Sequence, residues 1–252
     1  MHSVIHTYFK HHESILDDYI KDFDHKGDPF GKQDRNTLKL FKLEEKTINF
    51  KSFKTPNLIN QIAYRFFRKS KAQRSFEYAN KLLELGVGTP QPIGYYEFYA
   101  LILFKKSFYI SEHLDYDLTY RELTSDLNYP NHEAILRAFT RFTFNLHERG
   151  IQFLDHSPGN TLIQLNGGNY KFFLVDLNRM KFGKLDFETR IKNFSRLTIY
   201  KSMVEIMSDE YAKCTGEDYH KVFDLMWKYT ETFQKKFQRK KRLKKKLIFW
   251  KH

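Results

Sequence analysis

The chain has 252 residues, 41% of them hydrophobic and 17% aromatic, enough for one generous core or two lobes and too apolar for a disordered polymer. Its net charge of +13 is local: ten Lys or Arg and no acid lie between Lys235 and Lys251, which leaves +3 for the rest. Cys214 is the only cysteine, which excludes an intrachain disulfide. With no signal-like N-terminus and no run of 18 apolar residues, a reducing, cytoplasmic setting is expected.

Residues 1–26 are polar and aromatic without a clear period, and no role can be read for them. Lys26–Asn36 is a turn-rich loop in which Gly27 and Gly31 flank Asp-Pro-Phe. Strand patterns follow at Thr37–Leu43 and Thr47–Phe53, joined by a hairpin at Glu44-Glu45-Lys46. Thr55-Pro56-Asn57 breaks the second strand, and a helical text runs from Leu58 to Leu85, apolar and basic at first. Gly86 ends it, with Pro90 and Pro92 beyond. Ile93–Phe98, Leu101–Phe104 and Phe108–His113 read as three short strands.

After Asp117 the period changes. Glu133–Arg149 carries Ile135, Ala138, Phe139, Phe142 and Leu146 on one face and is an amphipathic helix. A loop rich in chemistry comes next, then a hairpin at Asn166-Gly-Gly-Asn169, and Phe187–Phe237 is helix-like. The expected organisation is an N-terminal segment 1–26, a strand-rich lobe 27–113, a helical lobe 114–233 and a basic tail 234–252.

The chemistry lies in Gly150-Ile-Gln-Phe-Leu-Asp155-His-Ser-Pro-Gly-Asn160, followed by Phe172-Phe-Leu-Val-Asp176-Leu-Asn178. Phosphoryl transfer from ATP needs a carboxylate to accept the proton of the attacking hydroxyl, and an amide oxygen and a second carboxylate to hold Mg²⁺. Asp155 is the candidate base. Asp176 ends an apolar run, where its charge needs a partner such as a metal ion. Lys51 is the candidate phosphate lysine and is favoured over its competitor Lys54, just beyond, because it lies inside the strand, where alternation sets it with Asn49 opposite Ile48 and Phe50. Gly27 and Gly31 stand where a phosphate-covering loop would be, although the pattern is not G-x-G-x-x-G.

A strand-rich lobe, a helical lobe, an Asp-x₄-Asn loop and a later Asp follow the order of protein-kinase-like enzymes. From about Gly27 to Leu197 the chain resembles the lipopolysaccharide core kinases, the Kdo/heptose kinase family, through Arg74-Ser-Phe-Glu77-Tyr-Ala, Leu85-Gly-Val-Gly-Thr-Pro90-Gln-Pro-Ile and Asn193-Phe-Ser-Arg-Leu197. The resemblance implies an α+β, two-lobed protein-kinase-like fold and makes Asn160 a second ligand of the Asp176 metal. It also makes Glu77 the partner that steers Lys51, with Glu84 as the alternative.

Phe153-Leu154 replaces the His-Arg of regulated protein kinases, Asn178 replaces the glycine after the metal aspartate, and no Ala-Pro-Glu segment follows. These departures favour a non-protein acceptor and leave a pseudokinase as the rival reading. The histidines form no zinc spacing. In the tail, Leu243, Leu247 and Trp250 recur at i, i+4, i+7 among cations, as in an interfacial helix on anionic lipid. No nucleic-acid module is evident. The sequence thus implies an ATP- and Mg²⁺-dependent kinase acting on Kdo of a lipid-A-type precursor, peripheral on the cytoplasmic face of the inner membrane.

Overall fold

Residues 1–31 and 36–249, with side chains through residue 243, are described by a computed structural model. The chain divides into two compact units: unit 1 is Met1–Asp115 with Val175–Arg179, and unit 2 is Tyr116–Leu174 with Met180–His252.

Unit 1 is built on β1 (His2–Ile5), α1 (Glu13–Lys21), β2 (Asp28–Pro29), β3 (Asn36–Leu43), β4 (Lys46–Phe53), α2 (Leu58–Phe66), α3 (Lys71–Glu84), β5 (Pro92–Ala100) and β6 (Leu103–Glu112). The strands form one sheet in the order β1-β5-β6-β4-β3-β2, each adjacent pair antiparallel. From Thr47 to Lys51 the alternation holds: Ile48 and Phe50 are fully buried, while Asn49 and Lys51 lie on the other face, partly buried. Ile48 and Phe50 pack with Phe41, Phe108 and Ile110, and with Leu16, Ile20 and Phe23 from the N-terminal segment.

Residues 1–26, for which the sequence offered no role, thus supply an edge strand and part of a core. Two further expectations are corrected. The helical text of 58–85 is two helices, because Ser70 leaves the helical conformation and caps α3, its Oγ accepting from the Gln73 N–H at 3.0 Å. The three strands read between 93 and 113 are two, joined at Leu101-Ile102.

Unit 2 contains β7 (Leu118–Thr119), α4 (Tyr120–Ser125), α5 (His132–Glu148), β8 (Ile151–Phe153), β9 (Thr161–Asn166), β10 (Asn169–Leu174), β11 (Met180–Phe182), α6 (Phe187–Lys192), α7 (Lys201–Thr215) and α8 (Tyr219–Phe249). Its strands are short: β10-β9-β7 form one small sheet and β11-β8 another. The apolar stripe of α5 (Ile135, Leu136, Phe139) packs with Phe194, Met207 and Tyr211 into the unit's main core. Helix α7 ends at Gly216 (φ 73), which supplies the left-handed cap a side chain would strain. Helix α8 runs into the basic tail. There Leu243 is half-exposed, and the rest of the predicted stripe, Leu247 and Trp250, lies outside the residues described with side chains.

Candidate active site

Unit 1 brings Lys51 and Asp176 together. The Lys51 Nζ donates to Asp176 Oδ1 at 2.6 Å, and the lysine side chain is only 15% exposed. Lys54, its rival from the sequence, is exposed at the strand's end. Asp176 lies two residues beyond β10 with φ 59, in the left-handed region where non-glycine residues are uncommon and Asp is among the better tolerated. Asn178 holds it there, donating from Nδ2 to the same Oδ1 at 2.7 Å. The residue that the sequence marked only as a missing glycine therefore orients the candidate metal carboxylate.

Glu77 does not meet Lys51. It takes Lys69 at 2.8 Å and the Gln73 amide at 3.0 Å, while Lys51 takes Asp176. The helix that carries Glu77 packs on the sheet, Phe76 and Ala72 of α3 against Phe53 of β4 and Tyr95 of β5. Glu84 is exposed. Gly27 has a packing reason to be glycine: its φ is +81, and an added Cβ would lie 2.5 Å from the Phe41 ring. Gly31 (φ +66) faces open space where the chain leaves β2. The following residues 32–35, within the expected phosphate-covering loop, lie outside the described residues.

In unit 2, Asp155 and Asn160 sit on one loop between β8 and β9. The Asn160 Nδ2 donates to the Asp155 carbonyl at 2.8 Å, which commits the amide nitrogen and leaves its oxygen for a ligand. Arg196 donates from Nη1 to Asp155 Oδ1 at 3.0 Å and to the Leu154 carbonyl at 2.9 Å, fixing both the carboxylate and the backbone behind it. No role for Arg196 was readable from local pattern. Its only signal was its place in the Asn193–Leu197 run that carried the resemblance.

A buried polar relay supports the same loop. Asn193 donates from Nδ2 to the Phe153 carbonyl at 2.8 Å, so its Oδ1 faces His147 Nε2 at 3.2 Å. An amide oxygen can only accept, so Nε2 carries the proton, and Nδ1 accepts from the Tyr211 hydroxyl at 2.9 Å. Burial lowers the His147 pKa to about 4, against the opposing hydrogen bond from Asn193. His156, beside Asp155, is fully buried among Phe139, Phe153 and Phe194. Desolvation lowers its pKa to about 3; a proton there would also be repelled by a protonated His147 and by Arg196, with Asn193 as a smaller opposing influence. Both histidines are neutral structural groups at pH 7.

Taken unit by unit, the donors suit Mg²⁺ and phosphate chemistry. In unit 1 Asp176 offers a hard oxygen, both donors on it going to Oδ1 and neither to Oδ2, and Lys51 is a point charge of the kind that meets phosphate oxygens; in unit 2 Asn160 offers an amide oxygen. Among the described residues the only cluster of His, Cys and acidic groups spaced for a metal is His11, His12 and Glu44, on the surface of unit 1.

A small antiparallel sheet with its packed helix and a mainly helical unit bearing an Asp-x₄-Asn loop define the protein-kinase-like class. A solved structure described as "WaaP in complex with acyl carrier protein" superposes with a TM-score of 0.64, covering 95% of this chain and 99% of that one; at 14% identity the likeness is one of fold. No curated protein matches in sequence. The family model described as "Lipopolysaccharide kinase (Kdo/WaaP) family" matches residues 28–225, and the chain belongs to that family. It is a phosphotransferase of lipopolysaccharide biosynthesis that acts on a sugar hydroxyl.

Proposed function

We propose that the protein phosphorylates a hydroxyl of Kdo in the lipopolysaccharide inner core, using ATP and Mg²⁺, while peripheral on the cytoplasmic face of the inner membrane. The observation that carries the ATP reading is the Lys51–Asp176 pair at 2.6 Å, which joins a phosphate-binding cation to a metal-binding carboxylate across 125 positions of sequence. Support for Kdo comes from the family, and support for the membrane face comes from the ten cations between Lys235 and Lys251. Among the described residues no helix is long and apolar enough to cross a membrane.

Each side chain has a defined task. Asp155, aligned by Arg196, accepts the proton of the sugar hydroxyl as it attacks. Lys51 moves from Asp176 to the phosphate oxygens and neutralises their charge. Asp176 Oδ2 and Asn160 Oδ1 are the oxygens offered to Mg²⁺, which when bound neutralises charge on the transferring phosphoryl group. Asn178 keeps Asp176 aimed after the lysine leaves. In this scheme catalysis is positioning and charge neutralisation.

The test is labelled ATP with lipid A precursors that carry or lack Kdo, assayed with and without Mg²⁺. Label on the Kdo-bearing lipid alone, lost on chelation and in Asp155→Asn, is the expected result. Transfer that survives Asp155→Asn refutes the base, and label on a Kdo-free lipid refutes the acceptor. Nucleotide-dependent stabilisation without any product would identify a pseudokinase.

A further inference from the structure

Helix α2 is inside out. It is locally well built, with Asn57 Oδ1 accepting from the Asn60 N–H at 3.0 Å, so it is not a fraying end. Yet none of its residues is buried, and its half-buried side is Asn60, Gln61, Ala63 and Tyr64. The apolar residues point outward: Ile59 and Phe67 are each 80% exposed, and Leu58 and Phe66 more than half. A soluble helix orders these faces the other way.

The β5–β6 hairpin extends the patch. Its tip, Leu101-Ile102, lies beside α2, where Tyr64 meets Phe104 at 5.5 Å and Arg65 covers the Tyr99 ring at 4.5 Å. Leu101 is 95% exposed at φ 53, a turn position where glycine is the cheap choice. A strained, fully exposed leucine at a hairpin tip has no packing purpose within the fold.

The surrounding charge identifies the occupant. From Lys54 to Lys71 the sequence contains Lys54, Arg65, Arg68, Lys69 and Lys71 and no acid, and Lys105 and Lys106 follow the hairpin tip; Lys69 pairs with Glu77 and Lys106 with Asp24, which leaves five cations at the patch. We propose that α2 and the Leu101-Ile102 tip form an interfacial docking surface for an anionic lipid bilayer. The aromatic and aliphatic side chains enter the headgroup–acyl boundary while long cations remain at phosphate level. This contact lies wholly in unit 1 and is separate from the basic tail. It does not depend on the phosphotransfer reading, so a water-soluble sugar acceptor should still be phosphorylated when docking is abolished.

The test is flotation of the full chain with vesicles of phosphatidylethanolamine and phosphatidylglycerol, and with vesicles of phosphatidylcholine alone. Phe67→Asp with Leu101→Asp changes only exposed positions, so the fold should be kept, as circular dichroism would verify. The pair is made both in the natural chain and in one whose ten tail cations, the Lys and Arg residues between Lys235 and Lys251, are changed to Gln. In the tail-neutralised chain we expect binding to anionic vesicles that the double substitution weakens roughly tenfold or more. A fluorophore on the thiol of Phe67→Cys, in a Cys214→Ser background, should shift to the blue on those vesicles. Undiminished binding after the double substitution, equal binding to phosphatidylcholine, or an unshifted label would each overturn the docking surface.

Discussion

Lowering the pH from 7 to 5 should destabilise unit 2 through two histidines that take no part in the reaction. Folding takes the His147 pKa from 6.5 to about 4 and the His156 pKa from 6.5 to about 3. In both, the folded state resists a proton that the unfolded chain accepts. Their contribution is therefore intact above pH 6.5, is lost as the pH falls below it, and levels off only near the folded pKa values. Integrating the difference gives about 2 kcal/mol per histidine between pH 7 and 5, or about 4 kcal/mol together. That is a large share of the roughly 5–15 kcal/mol that holds a domain folded. Urea denaturation at the two pH values measures it. His156→Phe, which suits a pocket of Phe139, Phe153 and Phe194, should halve the pH dependence and leave stability at pH 7 unchanged or improved, since neither ring nitrogen has a hydrogen-bond partner. Equal pH dependence in the two proteins, or a His156 ring signal that titrates near 6.5, would refute the reasoning.

Other changes separate the roles of the site residues. Lys51→Met should lower phosphate transfer about a hundredfold or more, whereas Glu77→Gln, whose natural partner is Lys69, should cost less than tenfold; steady-state kinetics with varied ATP distinguishes them. Arg196→Met should reduce kcat about tenfold to a hundredfold with little change in KM for ATP, because it loosens Asp155 and touches no nucleotide group in this scheme. Gly27→Ala should cost about 2 kcal/mol or more in thermal unfolding, combining a positive φ with a Cβ pressed into the Phe41 ring.

Legibility in the sequence followed the distance over which each interaction acts. The β3–β4 hairpin and the face of Lys51 were readable because strand alternation is local, and Asp155 with Asn160 because five residues fix their spacing. Arg196 meets Asp155 from 41 positions away, and no local pattern marks that contact. The partner of Glu77 was misread because Lys69 sits in the break between α2 and α3, where a continuous helix was expected. The N-terminal segment gave no period because it folds as a four-residue strand, a 3₁₀ turn and a nine-residue helix, each too short to repeat. The left-handed backbone of Asp176 could not be foreseen, because Asp tolerates that conformation without requiring it.

The membership of Val175–Arg179 in unit 1 has a consequence for synthesis and for domain exchange. A ribosome that has released residue 115 has not released everything unit 1 contains, since the counter-ion of Lys51 emerges only after residues 116–174. A fragment ending at Asp115 would carry a mostly buried ammonium without its carboxylate. Likewise, a chimera that trades unit 1 between relatives at that single junction would pair the lysine of one parent with the aspartate loop of the other. A faithful exchange requires two transplanted segments and three junctions, the second segment being only five residues long.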